Sequence, residues 1–124
     1  MLSIKGTKFT KMPTFNSFEE IEAWQNARTL AKMIFSICQE SRFSKDFRLR
    51  DQINASSGSI MDNIAEGFER NGNREFVQFL AIAKGSAGEV RSQLYRALDR
   101  SYISEETFLK LKNDVILITN YFRD

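Results

Sequence analysis

Histidine is absent from this 124-residue chain, and proline, cysteine and tryptophan each occur only once. Without histidine there is no Ser–His or Cys–His nucleophile pair, and no Glu-x-x-His di-iron site. A single cysteine excludes a cysteine cluster for zinc, and the sequence has no glycine-rich phosphate loop. We therefore expect no catalytic residue, no metal ligand and no cofactor.

Long apolar runs are also missing. The longest candidate, residues 115–118, is one helical turn, whereas a membrane span needs roughly 20 apolar residues. The first 15 residues, MLSIKGTKFTKMPTF, contain neither an apolar h-region nor a small-residue cleavage site, so no signal peptide is predicted. Cys38 lies on an apolar helical stripe, which favours a core thiol in a reducing compartment. We expect a cytoplasmic protein without a membrane partner.

The charge is mixed. The net charge of +2 divides into +3 over residues 1–16, −2 over 17–41, 0 over 42–70, +2 over 71–100 and −1 over 101–124. A balance so close to neutral does not by itself predict nucleic-acid binding. Five basic residues on the second and third predicted helices form a modest basic surface, for which ordinary solvated and partly paired charge is a sufficient explanation: Arg48, Arg50, Lys84, Arg91 and Arg96.

Helical spacing of apolar residues recurs four times, and no strand-like alternation of useful length appears. The predicted helices run from Ser17 to Ser41, from Ser44 to the Asn71-Gly72 turn, from an Asn73 cap to Leu98, and from a Ser104 cap to Phe122. Ser17 and Glu20 match a capping box, and Asp46 falls in the first turn of the second helix. Helices of about 20 to 28 residues with short connections predict an all-α, up-down-up-down antiparallel four-helix bundle. The bundle takes residues 15–124, and residues 1–14 are predicted to be an extended or mobile arm.

Two of these helices are apolar on more than one side. Residues 76–83 of the third and residues 115–118 of the fourth leave almost no polar face. A bundle partner covers one stripe of a helix, so a helix that is apolar all round needs further cover. The apolar surface that the bundle itself would not cover predicts a homo-oligomer. The alternative is that these residues lie at the edge of the core.

Polar residues occupy positions in the second and third helices where large apolar residues would be usual. They form two stripes, Ser59, Asn63 and Glu66 on the second helix and Ser86, Glu89 and Gln93 on the third. Antiparallel packing would join the stripes as a hydrogen-bonded contact that fixes helix register. The functional alternative is a catalytic carboxylate pair of Glu66 and Glu89.

A run of small residues, 55–59, lies in the second helix. Gly58 costs about 1 kcal/mol relative to alanine in a helix interior, so a packing reason is expected, with Trp24 or Phe79 as the large neighbour that needs the space. The same argument applies to three further glycines: Gly67, Gly85 and Gly88.

Motifs in the predicted helices carry a family resemblance. They are FEEIEAWQNAR (18–28), NIAEGF (63–68), EFVQFLAIAKGSAGEV (75–90) and QLYRALDRSYIS (93–104). Their order and spacing over residues 15–122 resemble the four-helix-bundle family named for the 23S rRNA intervening-sequence protein. The signature residues are Trp24, Asn63, Glu66, Gly67, Gly85 and Ser86.

The resemblance implies a ring-like homopentamer. The family's first members are encoded within insertions in bacterial 23S rRNA genes, and related members are retroelement accessory proteins that bind RNA and a reverse transcriptase through a basic ring surface. It therefore implies a non-catalytic RNA-binding or ribonucleoprotein accessory protein, and the alternative is a protein–protein scaffold without a nucleic-acid role. The resemblance also implies that the five basic residues of the second and third helices, repeated in each of five subunits, are the nucleic-acid-binding residues. Relatives commonly have two basic residues after the equivalent of Gln52-Ile53, where this chain has Asn54 and Ala55, and many have proline in place of Met61.

Overall fold

The structure, a computed structural model, describes residues 3–4, 7–8, 15–70 and 72–122. The chain is all-α, with four long helices: α1 (Glu22–Ile37), α2 (Phe47–Glu69), α3 (Asn73–Asp99) and α4 (Glu105–Thr119). The predicted class and number of helices are confirmed. Within the described ranges, no helix is both long enough and apolar enough to cross a membrane.

A short antiparallel strand pair precedes the bundle. Strand β1 (Ser3–Ile4) pairs with strand β2 (Thr7–Lys8). No strand was predicted, because two residues are too few to show the period-2 alternation on which a strand prediction depends. The rest of the predicted arm, residues 1–14, and its predicted mobility lie outside the described residues.

Helix α1 begins five residues after the predicted start. Ser17 makes no side-chain cap hydrogen bond, and Glu20 Oε2 accepts instead from the backbone N–H of Asn16 at 3.1 Å. A 3-10 turn, Phe18–Glu20, comes first, and Ile21 then leaves the helical region with φ −76° and ψ 120°. The predicted capping box was wrong because the backbone extends at Ile21, whose side chain is fully buried in the core.

Helix α2 begins at Phe47 and is capped by Asp46, which therefore precedes the helix and does not lie in its first turn. The Asp46 carboxylate accepts from the backbone N–H of Leu49 at 3.1 Å, which satisfies one of the free donors at a helix start. The helix continues without a break through Met61 and ends at Glu69, before the predicted Asn71-Gly72 turn.

Gly72 precedes α3 with φ +125°, a conformation that favours glycine. Asn73, predicted as the cap, is the first residue of α3, and its buried Oδ1 has no hydrogen-bond partner among the described residues. Ser104 caps α4 as predicted, since its hydroxyl accepts from the N–H of Thr107 at 3.1 Å. Helices α1 and α4 have 16 and 15 residues and are shorter than predicted.

Neighbouring helices run antiparallel. Ser59 on α2 contacts Ser86 on α3, whereas Gln52, about two turns earlier on α2, contacts Arg96, which lies later on α3. Helix α4 packs on α3 and on α1, and α1 packs on α2, which gives the up-down-up-down arrangement. Each helix contributes a stripe of buried apolar side chains to one core, and the α4 side of that core consists of Phe108, Leu111, Val115, Ile118, Tyr121 and Phe122.

Candidate nucleic-acid interface

Three side chains in the middle of α2 and α3 form a hydrogen-bonded contact that we call the serine seam: Ser59, Asn63 and Ser86. The hydroxyls of Ser59 and Ser86 share a hydrogen bond of 2.9 Å. Asn63 Nδ2 donates to Ser59 O at 2.8 Å and to Ser59 Oγ at 2.9 Å. Gln93 was predicted to belong to this contact, but its buried Oε1 has no hydrogen-bond partner in the part of the chain that the structure describes. The seam is therefore smaller than predicted.

Glu66 and Glu89 do not take part in the serine seam. Glu66 Oε2 accepts from Arg70 Nη2 at 2.9 Å, one turn along the surface of α2, and Glu89 is exposed. The contact between residues 59 and 86 puts Glu89 level with Ser56, ten residues or roughly 15 Å along the α2 axis from Glu66. The catalytic carboxylate pair is therefore excluded, and the inclusion of Glu66 in the seam was wrong.

Gly67 provides the close helix contact expected from the small residues. A Cβ at this position would lie 2.7 Å from Phe79 Cβ and 3.0 Å from Phe76 Cδ1, so α2 and α3 need glycine here. The packing explanation was wrong for three other glycines, where an added Cβ would meet nothing within 4 Å: Gly58, Gly85 and Gly88. Trp24 fills none of these spaces, because it packs edge-on against Phe18 with ring centroids 5.1 Å apart.

A surface groove of about 420 Å³ runs beside α3 and brings two of the predicted basic residues together. Its lining is Ala81, Lys84, Gly85, Gly88, Arg91 and Thr119, and we call it the α3 groove. Lys84 and Arg91 are exposed, and among the described residues neither has an ion pair or a hydrogen bond. The α3 groove therefore combines two available cations with glycine backbone that carries no side chain.

Arg48 and Arg50 lie at the start of α2. Arg48 is exposed and has no ion pair or hydrogen bond with any described residue. Arg50 is held in place, because its Nε donates to Asp51 Oδ1 at 3.2 Å and its Nη1 donates to the backbone carbonyl of Ser44 at 3.2 Å. A neighbouring amide, Asn54, donates to the Arg50 carbonyl at 2.9 Å. Ala55, the next residue, is exposed and offers only a methyl group.

Arg96 belongs to the opposite edge of α3 from the groove. Its Nη1 donates to Gln52 Oε1 at 3.1 Å, so it faces α2, whereas the α3 groove includes Thr119 at the end of α4. The five predicted residues consequently do not form one continuous patch on a single chain. Lys84 and Arg91 share the groove, and the other three lie toward the start of α2.

One feature of this region that the sequence analysis missed is Phe47. Its side chain is 64% exposed, and the guanidinium carbon of Arg50 lies 4.9 Å from the ring centroid. Phe47 lies within residues 42–50, RFSKDFRLR, which we call the basic segment. The basic segment contains one anion, Asp46, and four cations: Arg42, Lys45, Arg48 and Arg50. An aromatic residue between basic ones was visible in the sequence, but its exposure was not.

Asp46 ties the basic segment to the far end of α3. Its Oδ2 accepts from the hydroxyl of Tyr102 at 2.9 Å and from Arg100 Nη1 at 2.7 Å. The backbone N–H of Leu49 is the largest of the influences that lower the pKa of Asp46, followed by the Tyr102 hydroxyl. Within the ranges that the structure describes, no three His, Cys, Asp or Glu side chains are grouped so that they would hold a metal ion.

Comparison with known proteins identifies a family and solved structures of similar fold. A family model described as "23S rRNA-intervening sequence protein" matches residues 19–122. A solved structure from Bacteroides thetaiotaomicron VPI-5482, described as a protein with unknown function from the S23 ribosomal protein family, is 25% identical with a TM-score of 0.74. The match covers 80% of this chain and 89% of that one. No curated protein matches the chain.

Proposed function

Because the chain belongs to the family of 23S rRNA-intervening sequence proteins, we propose that it is a non-catalytic, oligomeric protein that binds RNA as an accessory of a ribonucleoprotein. The α3 groove is the observation that carries the proposal. The family's description names a 23S rRNA intervening sequence, and the groove offers a surface whose chemistry suits the RNA backbone.

Lys84 and Arg91 are the residues that would bind phosphate in the α3 groove. Neither has a protein partner among the described residues, so an RNA strand would not need to break an ion pair to reach them. Gly85 and Gly88 carry no side chain, so the sugar–phosphate backbone can approach the helix closely. Contacts of this kind give affinity with little base selectivity.

Arg48, Arg50 and Arg96 would extend this surface. Arg48 is exposed, and the hydrogen bonds of Arg50 to Ser44 and of Arg96 to Gln52 hold the other two guanidinium groups in fixed positions. These residues lie away from the α3 groove on one chain. An oligomer would repeat both groups in every subunit and would increase the local positive potential.

Exposed apolar side chains support the proposed homo-oligomer. Apart from Phe47, five large apolar residues are between 42% and 60% exposed: Phe35, Ile82, Tyr95, Leu109 and Leu117. Ile82 and Leu117 come from the two apolar segments from which subunit contacts were predicted. The family resemblance supplies five as the number of subunits. Light scattering of a dilute sample should then give about five times the chain mass of 14.4 kDa, and a monomer would contradict this part of the proposal.

The RNA-binding proposal is tested by reversing the two charges in the α3 groove. We expect Lys84→Glu with Arg91→Glu to weaken binding of unrelated RNA strands alike and to make the salt dependence less steep. For a single strand, two lost phosphate contacts reduce the slope of log K against log salt by about 1.4. The matched control is Lys32→Glu with Arg74→Glu, which makes the same change of charge at two exposed positions outside the groove.

Two results would reject RNA binding in the α3 groove. One is the absence of RNA affinity at about 50 mM salt in the wild-type oligomer, where phosphate contacts are strong. The other is an equal loss in the groove variant and in the control variant. Light scattering of both variants establishes that the oligomer is unchanged.

A protein–protein scaffold remains the second candidate function, and the surface between α1 and α4 favours it. Two adjoining grooves of about 270 and 130 Å³ share Met33 and Lys110 there. Apolar Ile37 and Leu111 line the larger groove. If RNA affinity is absent while the oligomer is intact, a scaffold that presents this surface repeatedly becomes the better interpretation. The unpaired Cys38 supports a cytoplasmic location for either function.

A further inference from the structure

Phe47 is the most exposed large apolar side chain among the described residues, at 64%. It is the first residue of α2 and lies at one end of the bundle. Isolated exposed apolar residues are common on protein surfaces, so exposure alone assigns no role. Its surroundings distinguish this residue, because the ring is flanked by cations.

Arg50 holds a cation against the Phe47 ring. The guanidinium carbon lies 4.9 Å from the ring centroid, within the range of a cation–π contact. Hydrogen bonds of 3.2 Å to the Ser44 carbonyl and to Asp51 hold the guanidinium in place. The ring therefore has a supported position although most of its surface is exposed.

Two cations near the ring have no partner among the described residues, whereas Arg50 is paired with Asp51. Lys45 precedes Phe47 by two residues and Arg48 follows it, and both are exposed without an ion pair or hydrogen bond to any described residue. Asp46, the one anion of the basic segment, is paired with Arg100 at 2.7 Å and also caps the first turn of α2. Since Asp46 occupies the start of α2, an anionic ligand would not bind the free N–H groups there. It would instead contact the side chains of Lys45 and Arg48.

We propose that Phe47 stacks on an unpaired base of single-stranded RNA, with Lys45 and Arg48 contacting the neighbouring phosphates. Aromatic rings stack on any of the four bases, and basic side chains beside them follow the strand. A base in a duplex is stacked on both sides and does not reach a surface ring. Two copies would not pair through their basic segments, because like charges repel, and contact of Phe47 with a different surface of another copy is an outcome of the test. The inference rests on the proposed RNA-binding function and adds the class of RNA and a contact outside the α3 groove.

Substitutions of Phe47 test the stacking directly. The probe is a fluorescein-labelled 12-nucleotide oligoadenylate, free and annealed to its complement, with the intact oligomer. Phe47→Leu keeps an apolar side chain but removes the ring, and Phe47→Trp keeps a ring. We expect Phe47→Leu to reduce affinity for the single strand about tenfold or more and affinity for the duplex by less than about twofold. We expect Phe47→Trp to retain the affinity of the wild type for both.

Each outcome decides between the possibilities. Wild-type affinity for the single strand in Phe47→Leu, together with weakened binding in the Lys84→Glu/Arg91→Glu variant, overturns the stacking inference and leaves the proposed function. No affinity of the wild type for either probe overturns both. A changed mass of Phe47→Leu in light scattering overturns the inference in favour of a subunit contact. Equal losses for single strand and duplex also overturn it, because stacking on an unpaired base requires a difference between them.

Discussion

Ser59 and Ser86 share a hydrogen bond of 2.9 Å between α2 and α3, at a point near the middle of both helices. Close contacts on either side keep the same register: Gly67 lies against Phe79, and Gln52 accepts from Arg96. A slip by one residue would separate the two hydroxyls and would leave polar groups unpaired between apolar stripes. The serine seam and the Gly67 contact therefore define how the two longest helices meet.

Asn63→Ala should destabilise the fold through the serine seam. The side chain donates to both the carbonyl and the hydroxyl of Ser59, and its loss leaves these half-buried acceptors with fewer partners. We expect a decrease in the free energy of unfolding on the order of 1–3 kcal/mol, measured by urea denaturation. The control is Asn113→Ala on the exposed surface of α4, which should change stability by less than about 0.5 kcal/mol. Loss of RNA binding with unchanged stability would instead assign Asn63 to a binding role.

The parts of the fold that follow from local periodicity were predictable. The four helices, the end of α2 and the Ser104 cap depend on residues within one or two turns of each other. Ser59 and Asn63 are four residues apart, so their shared stripe was readable, and the expected contact with the stripe that contains Ser86 is confirmed for Ser86. The start of α1 was not readable, because burial of Ile21 by distant elements overrides the local cap pattern of Ser17 and Glu20.

The candidate site was less predictable, because its members come from separate helices. Lys84 and Arg91 are seven residues apart on α3, which indicates a shared face, but the groove beside them depends on where α4 ends. Arg96, five residues after Arg91, turns toward Gln52 on α2 and leaves that face. Exposure of Phe47 depends on what α1 and α3 leave uncovered at the end of the bundle, and sequence spacing does not contain that information.

Gly67→Ala and Gly58→Ala should change stability in opposite directions. A methyl group at position 67 would lie 2.7 Å from Phe79 Cβ, which requires α2 and α3 to separate, whereas one at position 58 meets nothing within 4 Å. We expect Gly67→Ala to lower the free energy of unfolding by about 1–3 kcal/mol. Gly58→Ala should raise it by up to about 1 kcal/mol, since alanine favours the helix. Urea midpoints measure both, and stabilisation by Gly67→Ala would contradict the close contact.

Ser101→Gly should stabilise the end of α3. Ser101 has φ +60°, and the turn that it forms lets its own N–H donate to the Leu98 carbonyl and the Tyr102 N–H donate to the Ala97 carbonyl, both at 2.9 Å. This helix-ending motif prefers glycine at the left-handed position. We expect a gain of about 0.5–1 kcal/mol in thermal or urea unfolding.

The matched control for that change is Ser92→Gly, at an exposed position in the interior of α3. There the same substitution should cost about 0.5–1 kcal/mol, because glycine is unfavourable inside a helix. A loss of stability at both positions would show that the backbone strain at Ser101 is small.

Acid should weaken the fold through Asp46. Hydrogen bonds from the Leu49 N–H and the Tyr102 hydroxyl lower the pKa of this carboxyl below its usual value of 3.8. The folded state therefore favours the ionised form, so its contribution is complete above the unfolded pKa and is lost as the pH falls through the folded pKa. We expect wild type to exceed Asp46→Asn in stability at about pH 7 and the difference to shrink at about pH 2.5. A difference that does not depend on pH would contradict the charge-dependent role of Asp46.

Cys38 should react slowly with thiol reagents while the chain is folded. The side chain is fully buried, and this burial is the main reason that the pKa of its thiol rises from 9.0 to about 11. Because the thiolate is the reacting form, a rise of that size lowers its population near pH 8 about 100-fold. We expect labelling with a disulfide reagent near pH 8 to be slower than in urea by at least about 100-fold, with one thiol per chain labelled after unfolding. The folded state binds the thiol proton more tightly than the unfolded state does. This difference in proton affinity stabilises the fold fully below pH 9.0, and the stabilisation is lost as the pH rises through the folded pKa of about 11. Equal labelling rates in buffer and in urea would mean that the thiol is accessible and that the core between α1 and α2 opens at this position.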